Sequence, residues 1–247
     1  MKFFLLFLFS IPLSVYSQTA TIKELKFKPN TKFYNTKDFT IIFPVVITQN
    51  KISSKLINSF VSDELLSTSA GNLKNRLEEL INDGLTDLSY EVTFNKNDIL
   101  SLHIYMQESG GNHLTSSETY FNFNLKTGKK LSISDLFYKN KIDSFRKMIF
   151  SNKRTSLLAY KREVMNDLVN NVTDSETYTW AVEQIDSNCI TNVQVENFSL
   201  SNQYIEIIDP CEFPYVIRSL EPIYKLKYSY KSILSFLKPE FQKKLFR

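Results

Sequence analysis

Five glycines, seven prolines, two cysteines, two histidines and one tryptophan among 247 residues are too few for several kinds of protein. So little glycine and proline cannot punctuate flexible linkers, and no internal period marks a solenoid. Two thiols cannot staple a disulfide scaffold, and with two scattered histidines they do not make a zinc site. No Cys-x-x-Cys redox pair occurs. A Gly-x-Ser-x-Gly elbow, a phosphate-cradling glycine loop, a His-Glu-x-x-His helix and a dinucleotide fingerprint are all missing, so the sequence assigns no catalytic residue, no metal ligand and no cofactor. Arginine is scarce too, at 6 of the 30 basic residues. Planar phosphate and base recognition favours Arg, and no dense basic run with interleaved aromatics is present, which argues against nucleic acid as a partner.

What is present describes a globular chain. The composition is 43% apolar, 14% aromatic and 23% charged, and a chain of this length forms one or two compact lobes. Residues 1–17 read as a signal peptide: Lys2, the apolar run Phe3 to Phe9, a helix break at Pro12, and Val15-x-Ser17 ahead of a cut before Gln18. That run is well short of the ~20 residues a spanning helix requires, and no later segment does better, so no membrane span is expected in the mature chain. No Cys near the cut supplies a lipid anchor. The protein is therefore expected to be periplasmic or secreted. Removing Lys2 leaves 29 basic and 26 acidic residues, a net charge of 29 − 26 = +3, too weak to point to a partner. In an oxidising compartment Cys189 and Cys211 are expected to pair, closing a loop of about 22 residues.

Periodicity predicts an α+β fold with segregated strands and helices. Residues 22–27 and 39–43 read as strands. Leu56, Ile57, Phe60, Val61, Leu65 and Leu66, then Leu73, Leu77, Leu80 and Ile81, recur at helical spacing up to a stop at Gly84. Arg76, Glu78, Glu79 and Asp83 fall on the solvated face of the second helix; an acidic partner-binding patch there is the alternative. Residues 88–94 and 99–106 alternate around a turn at 95–98, a β-hairpin. A loop at 109–113 leads into an alternating strand at 120–125, a turn at 126–129 and a further strand at 131–133, so a four-stranded antiparallel meander is expected over about 86–134. Residues 135–168 are helical, and another helix around 177–185 reaches Cys189. A second hairpin, 191–200 and 204–208, follows, so that Cys189 opens one strand, Cys211 closes its partner, and pairing brings the two together. A strand at 224–228 and a short helix at 232–237 ending before Pro239 complete the chain.

His103 sits inside an alternating strand and reads as a packed or surface residue. His113 follows Gly110-Gly111 in a loop, where binding side chains are often placed, so Gly110, Gly111, Asn112 and His113 form the candidate ligand or partner site; the competing reading is a glycine turn over which His113 packs. Glu91, Glu108, Glu118 and Asp135 could meet in space, but no pair has a diagnostic spacing.

The text "SLHIYMQESGGNH", then "YFNFNLKTGKKLSISDLF", then "DPCEFPYVIRSLEPIYKLKYSYKSILSFL" resembles the RsiV-type extracellular domain of unknown function, which also precedes the catalytic domain of a class of peptidoglycan deacetylases. Gly110, Gly111 and His113 match its Gly-Gly-Ala-His loop, with Asn112 in place of Ala and Asn124 in place of Asp. The likeness covers roughly 85–240, which divides the chain into a signal peptide (1–17), a small N-terminal α/β lobe (18–84) and an RsiV-like α+β domain (85–247). In that family a membrane-anchored anti-sigma factor binds lysozyme with this domain. The present sequence shows neither a sigma-binding segment nor a retained membrane helix, and it lacks the Thr-Phe-Asp-Asp-Gly-Pro metal motif of the deacetylases. The resemblance therefore implies a standalone, exported, non-enzymatic binding module of the bacterial envelope that recognises a cell-wall glycan (peptidoglycan) or a wall-degrading enzyme such as lysozyme. The alternatives are a metal-independent hydrolase using carboxylates and a structural or assembly protein.

Overall fold

A computed structural model describes residues 17–27, 41–66, 71–110, 113–170, 175–191, 193–222 and 225–246, with residues 110, 113 and 170 described by backbone only. The expected signal peptide, apart from Ser17, lies outside the described residues, as do Gly111 and Asn112 of the expected binding loop. The fold is α+β.

Five strands make the first sheet: β1 (Thr21–Phe27), β2 (Ile41–Ile47), β3 (Leu85–Lys96), β4 (Ile99–Gly110) and β5 (His113–Asn124), in spatial order β1-β2-β3-β4-β5. All neighbours are antiparallel except β2 and β3, which run parallel. That one parallel pair follows from the crossover between them, made by helices α1 (Lys51–Leu65) and α2 (Leu73–Asp83). On α1 the buried residues Ser53, Ile57, Val61 and Leu65 recur every fourth position, and Asn50 caps the helix by accepting from the Ile52 and Ser53 amides. Gly84 ends α2 in the left-handed region (φ 119°). Leu100, Leu102, Ile104 and Met106 of β4 join Phe121 and Phe123 of β5 and the apolar stripes of both helices in one cluster, so residues on either side of Gly84 share a sheet and a core. Arg76 is not on the open face of α2: its guanidinium donates to the Ser62 and Leu66 carbonyls and pairs with Asp63 at 2.8 Å, clamping the two helices together.

The β3–β4 hairpin turns on two residues, Asn97 (φ 54°) and Asp98 (φ 64°). Consecutive left-handed residues are what a two-residue turn needs to match strand twist, and Asn and Asp tolerate that conformation. Thr93 is bulged out of the β3–β4 register, between the Val92–Leu102 and Phe94–Ser101 pairs. The bulge shifts side-chain parity, so that Phe94 packs into a second cluster rather than the first.

That second cluster belongs to a three-stranded antiparallel sheet, β6 (Phe198–Leu200), β7 (Tyr204–Ile208) and β8 (Lys225–Ser229). Around it lie the short α3 (Ile133–Leu136), the first half of α4 (Ile142–Asn170) and α6 (Pro239–Leu245). Strand β6 lies on the face of the first sheet that points away from α1 and α2. Asn122 Nδ2 donates to the Phe198 carbonyl at 2.7 Å, Leu200 N–H donates to Ser101 Oγ at 3.1 Å, and Thr93 Oγ1 is 2.9 Å from Ser199 Oγ. The second half of α4 runs on to a third, smaller cluster with α5 (Ser175–Gln184) and the Cys189–Cys211 disulfide, whose Cα atoms are 5.1 Å apart.

Several expectations are corrected. No strand forms at 131–133. Lys130 makes a single bridge to Phe123, and the Ser132/Asp135 capping box then starts α3, because Ser-x-x-Asp satisfies the first-turn amides better than a strand would. The meander over 86–134 consequently has three strands. Cys189 does not open a strand; it ends a π-helical turn (Ile185–Cys189) continuing α5, and it still reaches Cys211. Pro239 begins a helix rather than ending one, since the missing N–H costs nothing at the first helical position, while residues 231–236 are turns.

Candidate functional site

The two sheets leave a polar cleft of about 380 Å³ between them. One wall is a cross-strand row on the first sheet, in which Glu91 of β3 opposes His103 of β4, and His103 opposes Tyr120 of β5. The other wall is a matching row on the second sheet, in which Ser199 of β6 opposes Glu206 of β7, and Glu206 opposes Lys227 of β8. Val92, Thr93, Ser201, Tyr204 and Lys225 complete the lining. Opposed residues on one face of a sheet have Cβ atoms about 5 Å apart, so each row is a continuous strip of functional groups.

At one end of the cleft the side chains are tightly coupled. The His103 and Tyr120 rings stack with centroids 4.4 Å apart and planes 6° from parallel. Tyr120 OH donates to Glu118 Oε2, and Lys225 Nζ reaches the same oxygen from the second sheet at 2.7 Å. His103 Nε2 lies 3.2 Å from that oxygen, yet it is off the line a hydrogen bond requires and has no aligned partner. Burial pushes the Glu118 carboxyl up, but hydrogen bonds from Lys225 and Tyr120, with the Lys225 charge, outweigh it and hold Glu118 below the usual carboxylate range. Burial, reinforced by Glu118, pushes the Tyr120 hydroxyl well above its ordinary value, which keeps it a donor. Glu118 is thus a fixed anion, and the end of the cleft is a rigid frame of aromatic faces and paired charge.

On the far side of the Glu118–Lys225 pair lies an open groove of about 530 Å³, lined by Ser116, Arg218, Ser219 and Glu221 among others. Burial raises the Glu221 carboxyl there, opposed in part by the Phe213 N–H it accepts. Among the described residues no group of three or more His, Cys, Asp or Glu is placed to hold a metal ion. Among the same residues no helix is long and apolar enough to cross a membrane.

Gly110 and His113 are opposed at the closing end of the β4–β5 hairpin. Tyr120 lies seven positions along β5 from His113, roughly 24 Å of strand, so the expected loop and the cleft are separate places. Of the four carboxylates considered from sequence, Glu91 lines the cleft and Glu118 lies at its end. Glu108 is exposed, and Asp135 serves the α3 cap by accepting from the Ser132 N–H at 2.8 Å. The second-sheet residues Ser199, Tyr204, Glu206, Lys225 and Lys227 were not singled out by any motif. Their only signal is the alternation that places Tyr204 and Glu206, and likewise Lys225 and Lys227, on one face of a strand.

No protein-family model matches the sequence, and no curated protein matches it. Solved structures do match. Over 90% of this chain and 95% of the other, the fold aligns with a DUF3298 family protein from Pseudomonas aeruginosa PAO1, with a TM-score of 0.55 and 14% identity. Over 90% and 94%, it aligns with a member of the same family from Bacteroides fragilis NCTC 9343, with a TM-score of 0.57 and 15% identity. At these identities the shared property is the fold, that of a domain type whose function is unknown.

Proposed function

We propose that the protein is a non-catalytic binding module of the bacterial envelope, exported by residues 1–17, and that the cleft between its sheets takes a cell-wall glycan. The observation that carries this reading is the pair of facing rows, Glu91–His103–Tyr120 and Ser199–Glu206–Lys227. They offer hydroxyl, carboxylate and ammonium groups from two directions, the mixed donor and acceptor set that sugar hydroxyls, acetamido groups and wall carboxylates require. The volume suits a small ligand. A hydrolase would need a carboxylic acid kept protonated beside its substrate; Glu118 at the end of the cleft is held ionised, and Glu221, whose carboxyl burial raises, lines the adjoining groove rather than the cleft. Lysozyme as the partner is the competing reading. It rests on the family resemblance and on the exposed carboxylates of α2, one of which, Glu78, is already paired with Lys74 at 3.6 Å.

The test is titration of the oxidised chain with soluble peptidoglycan fragments and, separately, with lysozyme, at two salt concentrations. Saturable binding of the fragments is expected. It should weaken about tenfold in Lys227→Ala and in Glu206→Gln, the loss expected of one charged hydrogen bond, and stay unchanged in His113→Ala. Binding to lysozyme alone, loss of binding in His113→Ala with the cleft variants unaffected, or no binding to either probe would overturn the proposal.

A further inference from the structure

The first described residues are fastened to the β3–β4 turn by a run of bonds. Ser17 Oγ donates to Asn97 Oδ1 at 3.0 Å. Gln18 N–H donates to Asp98 Oδ1 at 2.9 Å, and the Gln18 carbonyl accepts from the Asp98 N–H at 3.0 Å. Asn95 receives the Ala20 N–H at 2.8 Å and returns a bond to the Ala20 carbonyl at 2.8 Å. Asp98 itself is buried, with 8% of its side chain exposed. Its second oxygen, Oδ2, lies 3.0 Å from Lys126 Nζ and 3.5 Å from Lys244 Nζ, while Oδ1 faces the Gln18 nitrogen. Ser17 is exposed, at the mouth of a cavity of about 480 Å³ whose wall also carries Asn97, Asp98, Lys126 and, from α6, Glu240, Lys243 and Lys244.

We infer that Gln18 is the amino terminus of the mature protein and that its α-ammonium docks on Asp98. The inference rests on the export reading above, not on the cleft. Cleavage after Ser17 is what Val15-x-Ser17 predicts, and it converts the nitrogen nearest Asp98 Oδ1 from an amide into a cation without moving it. A single amide donor then becomes a three-donor ammonium in direct contact with a carboxylate. Burial pushes the Asp98 carboxyl up, yet the Gln18 N–H and the two lysines hold it below its ordinary range, so it is an anion ready for this role. Lys126, Lys243 and Lys244 oppose a further positive charge and Glu240 favours it, but Asp98 is the group in contact.

The docked terminus has a chemical consequence. An amino-terminal glutamine cyclises when its neutral amine attacks its own side-chain carbonyl carbon: the N–Cδ bond forms, the Cδ–Nε2 bond breaks, and the amide nitrogen takes one proton from the attacking amine and leaves as ammonia. An ammonium held by Asp98 has no free lone pair, so the open glutamine is preserved.

The chain released from a fusion so that it starts at Gln18 is compared with a chain starting at Ser17 and with Asp98→Asn in the Gln18-start form. Asn tolerates the left-handed backbone of position 98. The amine of the Gln18-start chain is expected to titrate at least about one pH unit above that of the Ser17-start chain, whose amine is displaced from Asp98. Its loss of ammonia, followed by mass, should be at least about tenfold slower than in Asp98→Asn, because a one-unit rise cuts the neutral amine about tenfold. The Ser17-start comparison needs no substitution, so misfolding of Asp98→Asn leaves the question decidable. Equal titration midpoints in the Gln18-start and Ser17-start chains overturn the docking. Amino-terminal sequencing of the protein recovered from its native envelope should begin at Gln18, and a different start overturns the inference while the cleft proposal stands.

Discussion

Lys153 occupies a position where a leucine would be expected. It lies on the core face of α4, one turn after Ile149 and one turn before Leu157, where that helix passes from the second cluster to the third. Its side chain is 3% exposed, and its ammonium meets Asp209 Oδ2 at 2.7 Å, with Asp209 itself 5% exposed and accepting from the Gln194 N–H through its other oxygen. Two buried charges in contact add little net stability over apolar residues of the same shape, but removing one takes the counter-charge from the other. Asp209→Ala should therefore cost about 3–5 kcal/mol in urea unfolding, and Lys153→Met combined with Asp209→Leu should recover most of it. The residue scale also sets the response to acid. Glu118 titrates below its ordinary range in the folded protein, so the stability it contributes is complete above the unfolded pKa and is lost as pH falls through the lower, folded one. Below about pH 4 the unfolding free energy of the native chain should fall more steeply than that of Glu118→Gln, which carries no titrating group there.

At the scale of elements, the turn after β5 shows how local backbone and packing agree. Gly128 has φ 72°, and a Cβ built on it would lie 2.9 Å from both Cα and the carbonyl oxygen of Ser53 on α1. The turn is held to the start of that helix by the Lys126 carbonyl, which accepts from Ser53 Oγ at 2.7 Å and from Asn50 Nδ2 at 3.2 Å. Gly128→Ala must strain the turn and push it off the helix, at a cost of about 2 kcal/mol or more. Thermal unfolding should show a loss of at least about 4 °C. This turn, both crossover helices and the hairpins are legible in the sequence, because each is governed by local spacing or by a turn residue. Residues 131–133 are not, since Leu131-Ser132-Ile133 alternates like a strand while the decisive signal, Ser132 with Asp135, is a helix start. The cleft is the least legible part. Ser101, His103 and Tyr120 read as the polar face of an amphipathic strand, and only the arrival of β6, about a hundred residues later in the chain, covers Ser101 and makes a wall of His103 and Tyr120.

For the molecule as a whole, three apolar clusters share three continuous elements: β3 and β4 serve the first and second, and α4 the second and third. The first two clusters are joined by sheet packing and by the Thr93, Ser101 and Ser199 hydroxyls, so they should melt together. The third is different. It holds few buried residues, Leu157, Val164, Ala181, Ile185, Phe213 and Ile217 with the two cysteines, and the disulfide closes a 22-residue separation across it. Loop entropy gives that link about 3 kcal/mol, a large share of what so small a cluster can supply. The single tryptophan, Trp180, lies on α5 within this region and is 39% exposed, so its fluorescence reports on the third cluster, while the far-ultraviolet signal is dominated by the other elements. In the oxidised protein the two signals should trace one urea transition. After reduction the Trp180 transition should move to lower urea and separate from the far-ultraviolet one, because the third cluster loses its constraint while the sheets keep theirs. Coincident transitions in the reduced protein would mean that α4, through the buried Lys153–Asp209 pair, couples the third cluster to the rest strongly enough without the disulfide.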